Sequence, residues 1–260
     1  RPHPPARSAD IPLANGGGAD RNAVPGYAIP NLKIAKRVVH AVPYRTSSLR
    51  ALGGHLNVYA IETLMDDIAA ELDEDPVAFR LSHLHDARAR AVIEAVAGDV
   101  GPAFASEGGE GAGWGIGYAR YKNTAAYCAI AARVEVEESV RVTDVFAAID
   151  PGEAINPDGI VNQTEGGILQ ATSWALKEAI RFDGAAVATE TWLDYPILTF
   201  SEVPRLSVSV LARPEEPPLG CAEAAQGPMS AALGNAVFRA LGVRVRDLSM
   251  TRDAIVAALS

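Results

Sequence analysis

The sequence predicts an α+β fold with mixed, largely antiparallel strands and packed helices, and three patterns predict it. Apolar residues recur at three- and four-residue spacing over 57–72, hydrophobicity alternates with period two over 127–136 and 140–149, and helices and strands do not interleave as in a doubly wound sheet. In chain order, residues 1–40 are rich in Pro, Gly, Ala and Asn, including Gly16-Gly17-Gly18, and read as an extended connector. Lys33 to Pro43 suit one strand, and Arg45-Thr46-Ser47-Ser48 suit a turn. Val58, Ile61, Leu64, Met65, Ile68 and Leu72 then form the core-facing side of an amphipathic helix, with Glu62, Asp66, Asp67 and Glu71 elsewhere on the wheel. Asp75-Pro76 fits an N-cap followed by proline at the first helical position, opening a second helix through Leu84, and a third spans Ala87 to Val96. The acidic run at 73–75 reads as a solvated corner.

The glycine cluster Gly111-Ala112-Gly113-Trp114-Gly115-Ile116-Gly117 lacks the following helix that a dinucleotide loop requires, and reads as a flexible lead-in to a hairpin. That hairpin pairs Tyr127–Val136 with Val140–Ile149 across Glu137-Glu138-Ser139. After a turn at Asp150-Pro151-Gly152, Asn156-Pro157-Asp158-Gly159 leads into a helix-compatible stretch from Val161 to Ile180. Arg205–Ala212 alternates as a strand, and Pro228–Leu241 and Arg252–Leu259 fit helices. No internal repeat is evident.

A chain of 260 residues, 48% of them hydrophobic, can bury a sizeable core. Its formal charge of -9 argues against a nucleic-acid or anionic-membrane partner, since both need a basic face. No run approaches the roughly 18 apolar residues of a membrane span, and Arg1-Pro2-His3-Pro4-Pro5-Ala6-Arg7 has no apolar signal-peptide core. Cys128 and Cys221 lack C-x-x-C spacing, so this chain alone builds neither a zinc site nor an iron–sulfur cluster; they read as buried thiols or a single disulfide. His83 and His85, two apart on a helix, point to different faces and make a poor metal pair. Serine-hydrolase, zincin and phosphate-loop motifs do not occur.

Two segments invite chemistry. Gly166 and Gly167 interrupt an otherwise apolar helix at about 1 kcal/mol each relative to alanine, which fits a place where something packs on the backbone. Asn162, Gln163 and Gln170 add neutral donors and acceptors suited to a heteroaromatic ring with mixed polar edges; helix packing through glycine with exposed amides is the alternative. In Pro217-Pro218-Leu219-Gly220-Cys221-Ala222-Glu223-Ala224-Ala225-Gln226, small residues surround a carboxylate, and partial desolvation would raise its pKa toward a useful base. The alternative is a carboxylate that complements a helix N-terminus.

Four segments taken in order resemble the molybdopterin-binding subunit of molybdenum hydroxylases, the xanthine dehydrogenase and aldehyde oxidase family, in particular its nicotinate dehydrogenase and isoquinoline 1-oxidoreductase branch. They are Arg45-Thr46-Ser47-Ser48-Leu49-Arg50-Ala51-Leu52-Gly53-Gly54 with Tyr59-Ala60-Ile61-Glu62; Asp75-Pro76-Val77-Ala78-Phe79-Arg80-Leu81; Asn156-Pro157-Asp158-Gly159 through Gln170; and Pro218-Leu219-Gly220-Cys221-Ala222-Glu223. Asp194-Tyr195-Pro196 also looks like the family.

The resemblance implies a molybdenum–pterin cofactor, in bacteria usually the cytosine dinucleotide form, with no direct protein ligand to the metal. It implies Glu223 as the catalytic base and Arg50 as an arginine that faces the substrate and stabilises developing negative charge. Gln163, Gly166 and Gly167 would contact the pterin, as would Arg80, unless Arg80 is a structural anchor. The implied reaction hydroxylates an aldehyde or an N-heteroaromatic carbon, with electrons leaving through [2Fe-2S] clusters on a partner subunit. Residues 41–110 would be the helical remainder of a first molybdenum-binding lobe, and 111–260 a second lobe.

Two departures from the family pattern stand out. Ala222 replaces the usual glycine before the glutamate and would be strained at positive φ. The family also has a long N-terminal portion that this chain lacks, so the chain is expected to be a fragment or one half of a split subunit, sharing its cofactor with the remaining part. On these two grounds the rival reading is a cofactor-free scaffold that only supports assembly.

Overall fold

A computed structural model describes residues 18–37, 39, 49–184 and 186–259. Helices α1 (Gly53–Glu71), α2 (Pro76–Ser82), α3 (Ala87–Val100) and α4 (Ala103–Ser106) precede strands β1 (Gly108–Gly109), β2 (Ala112–Arg120), β3 (Tyr127–Val136) and β4 (Val140–Asp150). Helix α5 (Pro157–Leu176), a small hairpin of β5 (Phe182–Asp183) and β6 (Ala186–Val187), strand β7 (Arg205–Val210) and helices α6 (Gln226–Leu241) and α7 (Arg252–Leu259) follow. The main sheet runs β1-β2-β3-β4-β7, antiparallel except for the parallel β4–β7 pair. The α+β expectation is met. The expected turn at 45–48 lies outside the described residues, as does about half of the expected strand over 33–43, whose described part, 33–37 and 39, has no strand.

Both faces of the sheet are covered, which explains why β3 is apolar at almost every position. Cys128, Ile130, Ala132 and Val134 face α5 and α6, while Tyr127, Ala129 and Ala131 face the α2–α3 side. The glycine-rich stretch is not a flexible lead-in but the strand β2. Trp114, Ile116 and Tyr118 point to the α2–α3 side, and the alternating glycines lie under α6. A Cβ at Gly115 would stand 2.2 Å from both the Ala232 carbonyl oxygen and the Ala236 nitrogen, so the absence of side chains lets the α6 backbone rest directly on the strand. This seating fixes the start of α6, and with it the loop that carries Glu223.

Helix α1 inverts part of the expected pattern. Glu62 and Asp66 are buried while Leu64, Ile68 and Leu72 are exposed. The cause is Arg80, fully buried on α2, whose guanidinium needs counter-charges in the interior. Its Nε pairs with Glu62 Oε2 at 2.9 Å, one terminal nitrogen lies 3.4 Å from Asp66, and the terminal nitrogens also donate to the Pro76 and Glu62 carbonyls. Tyr27 and the Tyr118 backbone N–H donate to Glu62 as well, and Arg244 closes the network on Asp66 and Asp67. Asp75 caps α2 as expected, accepting from Val77 and Ala78.

Candidate active site

Glu223 sits in the loop before α6, three residues ahead of its first turn. Its carboxylate is held at both oxygens: the Ala51 backbone N–H donates to Oε1 at 3.0 Å, and the Tyr121 hydroxyl and Arg21 Nη1 both meet Oε2, the latter at 3.4 Å. Gln226, wholly buried at the start of α6, donates its side-chain nitrogen to the Glu223 carbonyl at 3.0 Å and accepts from Arg50 Nε at 2.8 Å. The carboxylate is 31% exposed, so one side remains reachable.

Burial alone would raise the Glu223 pKa, but the hydrogen bonds from Tyr121 and Ala51 and the charges of Arg21 and Lys122 outweigh it and hold the carboxyl below its usual range. This overturns the expectation of a raised pKa, because small neighbours left room for donors as well as for a ligand. The group is therefore ionised at neutral pH and ready to accept a proton, with less driving force than a raised carboxylate would have.

Arg50 is the cross-link of the site. Its Nε donates to the Ala222 carbonyl at 2.9 Å, Nη2 donates to the same carbonyl and to Gln163 Oε1 at 2.9 Å, and Nη1 reaches Gln170 Oε1 at 3.5 Å. The guanidinium thus ties the Glu223 loop to α5. The adjacent glycines Gly166 and Gly167 of α5 do different things. A Cβ at Gly167 would lie 3.1 Å from Ala225 Cβ and from the Gln226 side-chain amide, so Gly167 admits the Glu223 loop against the helix. Gly166 is exposed, and a Cβ there would meet nothing within 4 Å, leaving open backbone beside the exposed Gln163. Helix α5 starts at Pro157, four residues ahead of the expected Val161, with Asn156 accepting from the Gly159 N–H at 2.9 Å.

The structure therefore links Gln163 through Arg50 to the loop that carries Glu223, seats Gly167 against Ala225 and Gln226 at the end of that loop, and leaves Gly166 on the open face of α5. Arg80 is a correction: its nitrogens are bonded within the buried network between α1 and α2, leaving none to meet a cofactor. The strain expected at Ala222 is also absent, since its φ is not positive; the left-handed residues near the site are instead Asn22, Ala51, Leu52, Lys122 and Asn123. Sequence reasoning missed Arg21 and Tyr121. Arg21 lies in the supposed connector, yet Asp20, Arg21 and Asn22 are all buried against the fold. Among the described residues no group of three or more His, Cys, Asp or Glu side chains is arranged to hold a metal ion.

The arrangement of helices and sheet has the fold of a known class of redox enzyme: aldehyde oxidoreductase from Desulfovibrio gigas superposes on it with a TM-score of 0.74, over 93% of this chain and 45% of that one, at 15% sequence identity. The chain itself belongs to the molybdopterin cofactor-binding domain family, whose two models match residues 59–204 and 17–84. It is 36% identical over 256 residues to a nicotinate dehydrogenase subunit from Pseudomonas putida, covering 92% of this chain and 22% of that protein. It is 35% identical over 208 residues to the beta subunit of isoquinoline 1-oxidoreductase from Brevundimonas diminuta, covering 78% and 26% respectively. These findings bear out the resemblance drawn from the four sequence segments. The chain spans about a quarter of the length of these relatives. Among the described residues no helix is long and apolar enough to cross a membrane.

Proposed function

We propose that this chain is part of the molybdenum–pterin active-site subunit of an oxidoreductase that hydroxylates a carbon of an aldehyde or, as the names of its relatives suggest, of an N-heteroaromatic ring. The observation that carries this reading is the bonded cluster in which Arg50 joins the Glu223 loop to Gln163 of α5, beside the open backbone at Gly166. The residues fit the cofactor: exposed Gln163 and half-buried Gln170 offer neutral donors and acceptors, and Gly166 admits a flat ring against main chain. When bound, the molybdenum–pterin group supplies the two-electron acceptor that lets an oxygen atom from water replace hydrogen on an electron-poor carbon.

This chain's residues do the rest. The reaction releases two protons, and the Glu223 carboxylate, ionised at neutral pH, accepts the first of them. Arg50 acts on Glu223 through the Ala222 carbonyl, as a positioning residue in this arrangement. Gln163 and the Gly166 main chain hold the pterin. The cytosine dinucleotide form of the cofactor, the remaining part of the molybdenum-binding subunit and a [2Fe-2S] partner subunit complete the proposal, as does the division into a first-lobe remainder over 41–110 and a second lobe over 111–260. The scaffold alternative loses one of its two supports with the unstrained Ala222.

Co-expression with the remaining part of the subunit and the iron–sulfur partner, followed by molybdenum and pterin analysis, tests the reading. It predicts both in near-stoichiometric amount, falling together on Gln163→Ala. A stable complex with neither favours the scaffold.

A further inference from the structure

Accepting a proton requires only the Glu223 carboxylate, yet the fold goes to some length to set Tyr121 against it. Tyr121 follows directly on β2, its ring packed in the core and its hydroxyl turned to Glu223 Oε2. Arg21 Nη1 donates to the same hydroxyl, and the Arg21 guanidinium lies 5.4 Å from the ring centroid, so the phenol's lone pair is engaged and its proton is directed at the carboxylate. Asn22 grips the backbone on both sides of the tyrosine: its Nδ2 donates to the Arg120 carbonyl at 2.8 Å, and its Oδ1 accepts from the Lys122 N–H at 2.9 Å. The turn so held places Lys122 and Asn123 at φ 56° and 60°, and the turn that presents the Ala51 N–H to the other carboxylate oxygen has φ 72° at Ala51 and 48° at Leu52. Two adjacent non-glycine pairs in the left-handed region, in the two turns that carry Ala51 and Tyr121 to one carboxylate, are costly unless the surrounding structure holds them there for a purpose.

We propose that Tyr121, backed by Arg21, is a positioning residue that aims Glu223 and keeps its carboxyl ionised for proton acceptance. The inference rests on the assignment of Glu223 as the base. Among the described residues, the charged and titratable groups facing Glu223 are Arg21 from the 18–22 segment and Tyr121 and Lys122 from the turn after β2, with Arg50 acting through the Ala222 carbonyl. Tyr121→Phe removes one donor and keeps the ring, the two cationic neighbours and the Ala51 N–H. Losing a hydrogen bond to the charged form moves the carboxyl pKa up, by roughly half a unit to one unit.

The test is done on the complete holoenzyme. The infrared carbonyl band of the protonated Glu223 carboxyl, identified by its loss in Glu223→Gln, is titrated with pH beside the acid limb of kcat/KM. In Tyr121→Phe, band midpoint and acid limb are expected to rise together. With 3-fluorotyrosine at position 121, a stronger donor, both are expected to fall, and this replacement decides the matter if the phenylalanine variant does not fold. Midpoints that stay within about 0.2 units of wild type in both replacements overturn the proposal. Should Glu223→Gln keep full turnover while the band still shifts, the base assignment fails and the Tyr121–Glu223 link stands; a silent band with an inactive Glu223→Gln fails the link alone.

Discussion

Gly115→Ala adds one methyl group where α6 rests on β2. That methyl would lie 2.2 Å from the Ala232 oxygen and the Ala236 nitrogen, against ordinary contact distances of about 3.5–4 Å. The neighbours are backbone atoms of a helix buried over most of its length, so no side chain can turn aside; the helix must lift by more than an ångström or the strand must bend. Overpacking against movable side chains costs about 1–3 kcal/mol, and a clash with fixed backbone is expected at or above the top of that range. The same substitution at Gly166 meets nothing within 4 Å in the middle of α5, so it is expected to stabilise by up to about 1 kcal/mol through helix propensity. Urea unfolding of the purified protein, followed by far-ultraviolet circular dichroism, reads both as midpoint shifts of opposite sign. A Gly115→Ala midpoint within the equivalent of about 0.5 kcal/mol of wild type would refute the backbone-on-backbone seating of α6.

Two further predictions concern buried charge. Burial pushes His55, which contacts Ser230 Oγ at 2.7 Å, down to a pKa of about 4, against an ordinary value of about 6.5 in the unfolded chain. Between these values only the unfolded chain takes up the proton, so stability present above pH 6.5 is lost as pH falls toward 4. Going from pH 6.5 to 5 is expected to remove about 1.5 kcal/mol, and His55→Gln should remove that part of the pH slope in urea titrations. Arg80→Met leaves Glu62 without a counter-charge in the interior, Asp66 keeping Arg244, and is expected to cost about 3–5 kcal/mol, while molybdenum content per folded complex stays at the wild-type level; a loss of cofactor without loss of stability would restore Arg80 to the site.

The elements that the sequence made legible are those with an unbroken period. The β3–β4 hairpin, α5, α6 and α7 appear within a few residues of their expected bounds, because the burial that sets their period acts locally there. Strand β2 was not legible, since glycine at every second position erases the apolar signal of the face that touches α6. The polarity of α1 was not legible either: that Glu62 points inward follows from Arg80, eighteen residues on and on another helix. The site divides in the same way. Glu223, Arg50 and Gln163 stand in motifs with their own composition, whereas Arg21 and Tyr121 meet Glu223 across 202 and 102 residues and leave no local trace. The direction of the Glu223 pKa was lost with them, because it depends on the donors that those distant segments bring.

The most direct measurement is turnover of the complete enzyme carrying Glu223→Gln, taken beside its molybdenum and pterin content. The substitution keeps the size of the side chain and removes only its ability to accept a proton, so cofactor content should match wild type while kcat falls by about two to four orders of magnitude. Turnover within a few-fold of wild type at full cofactor loading would contradict the account.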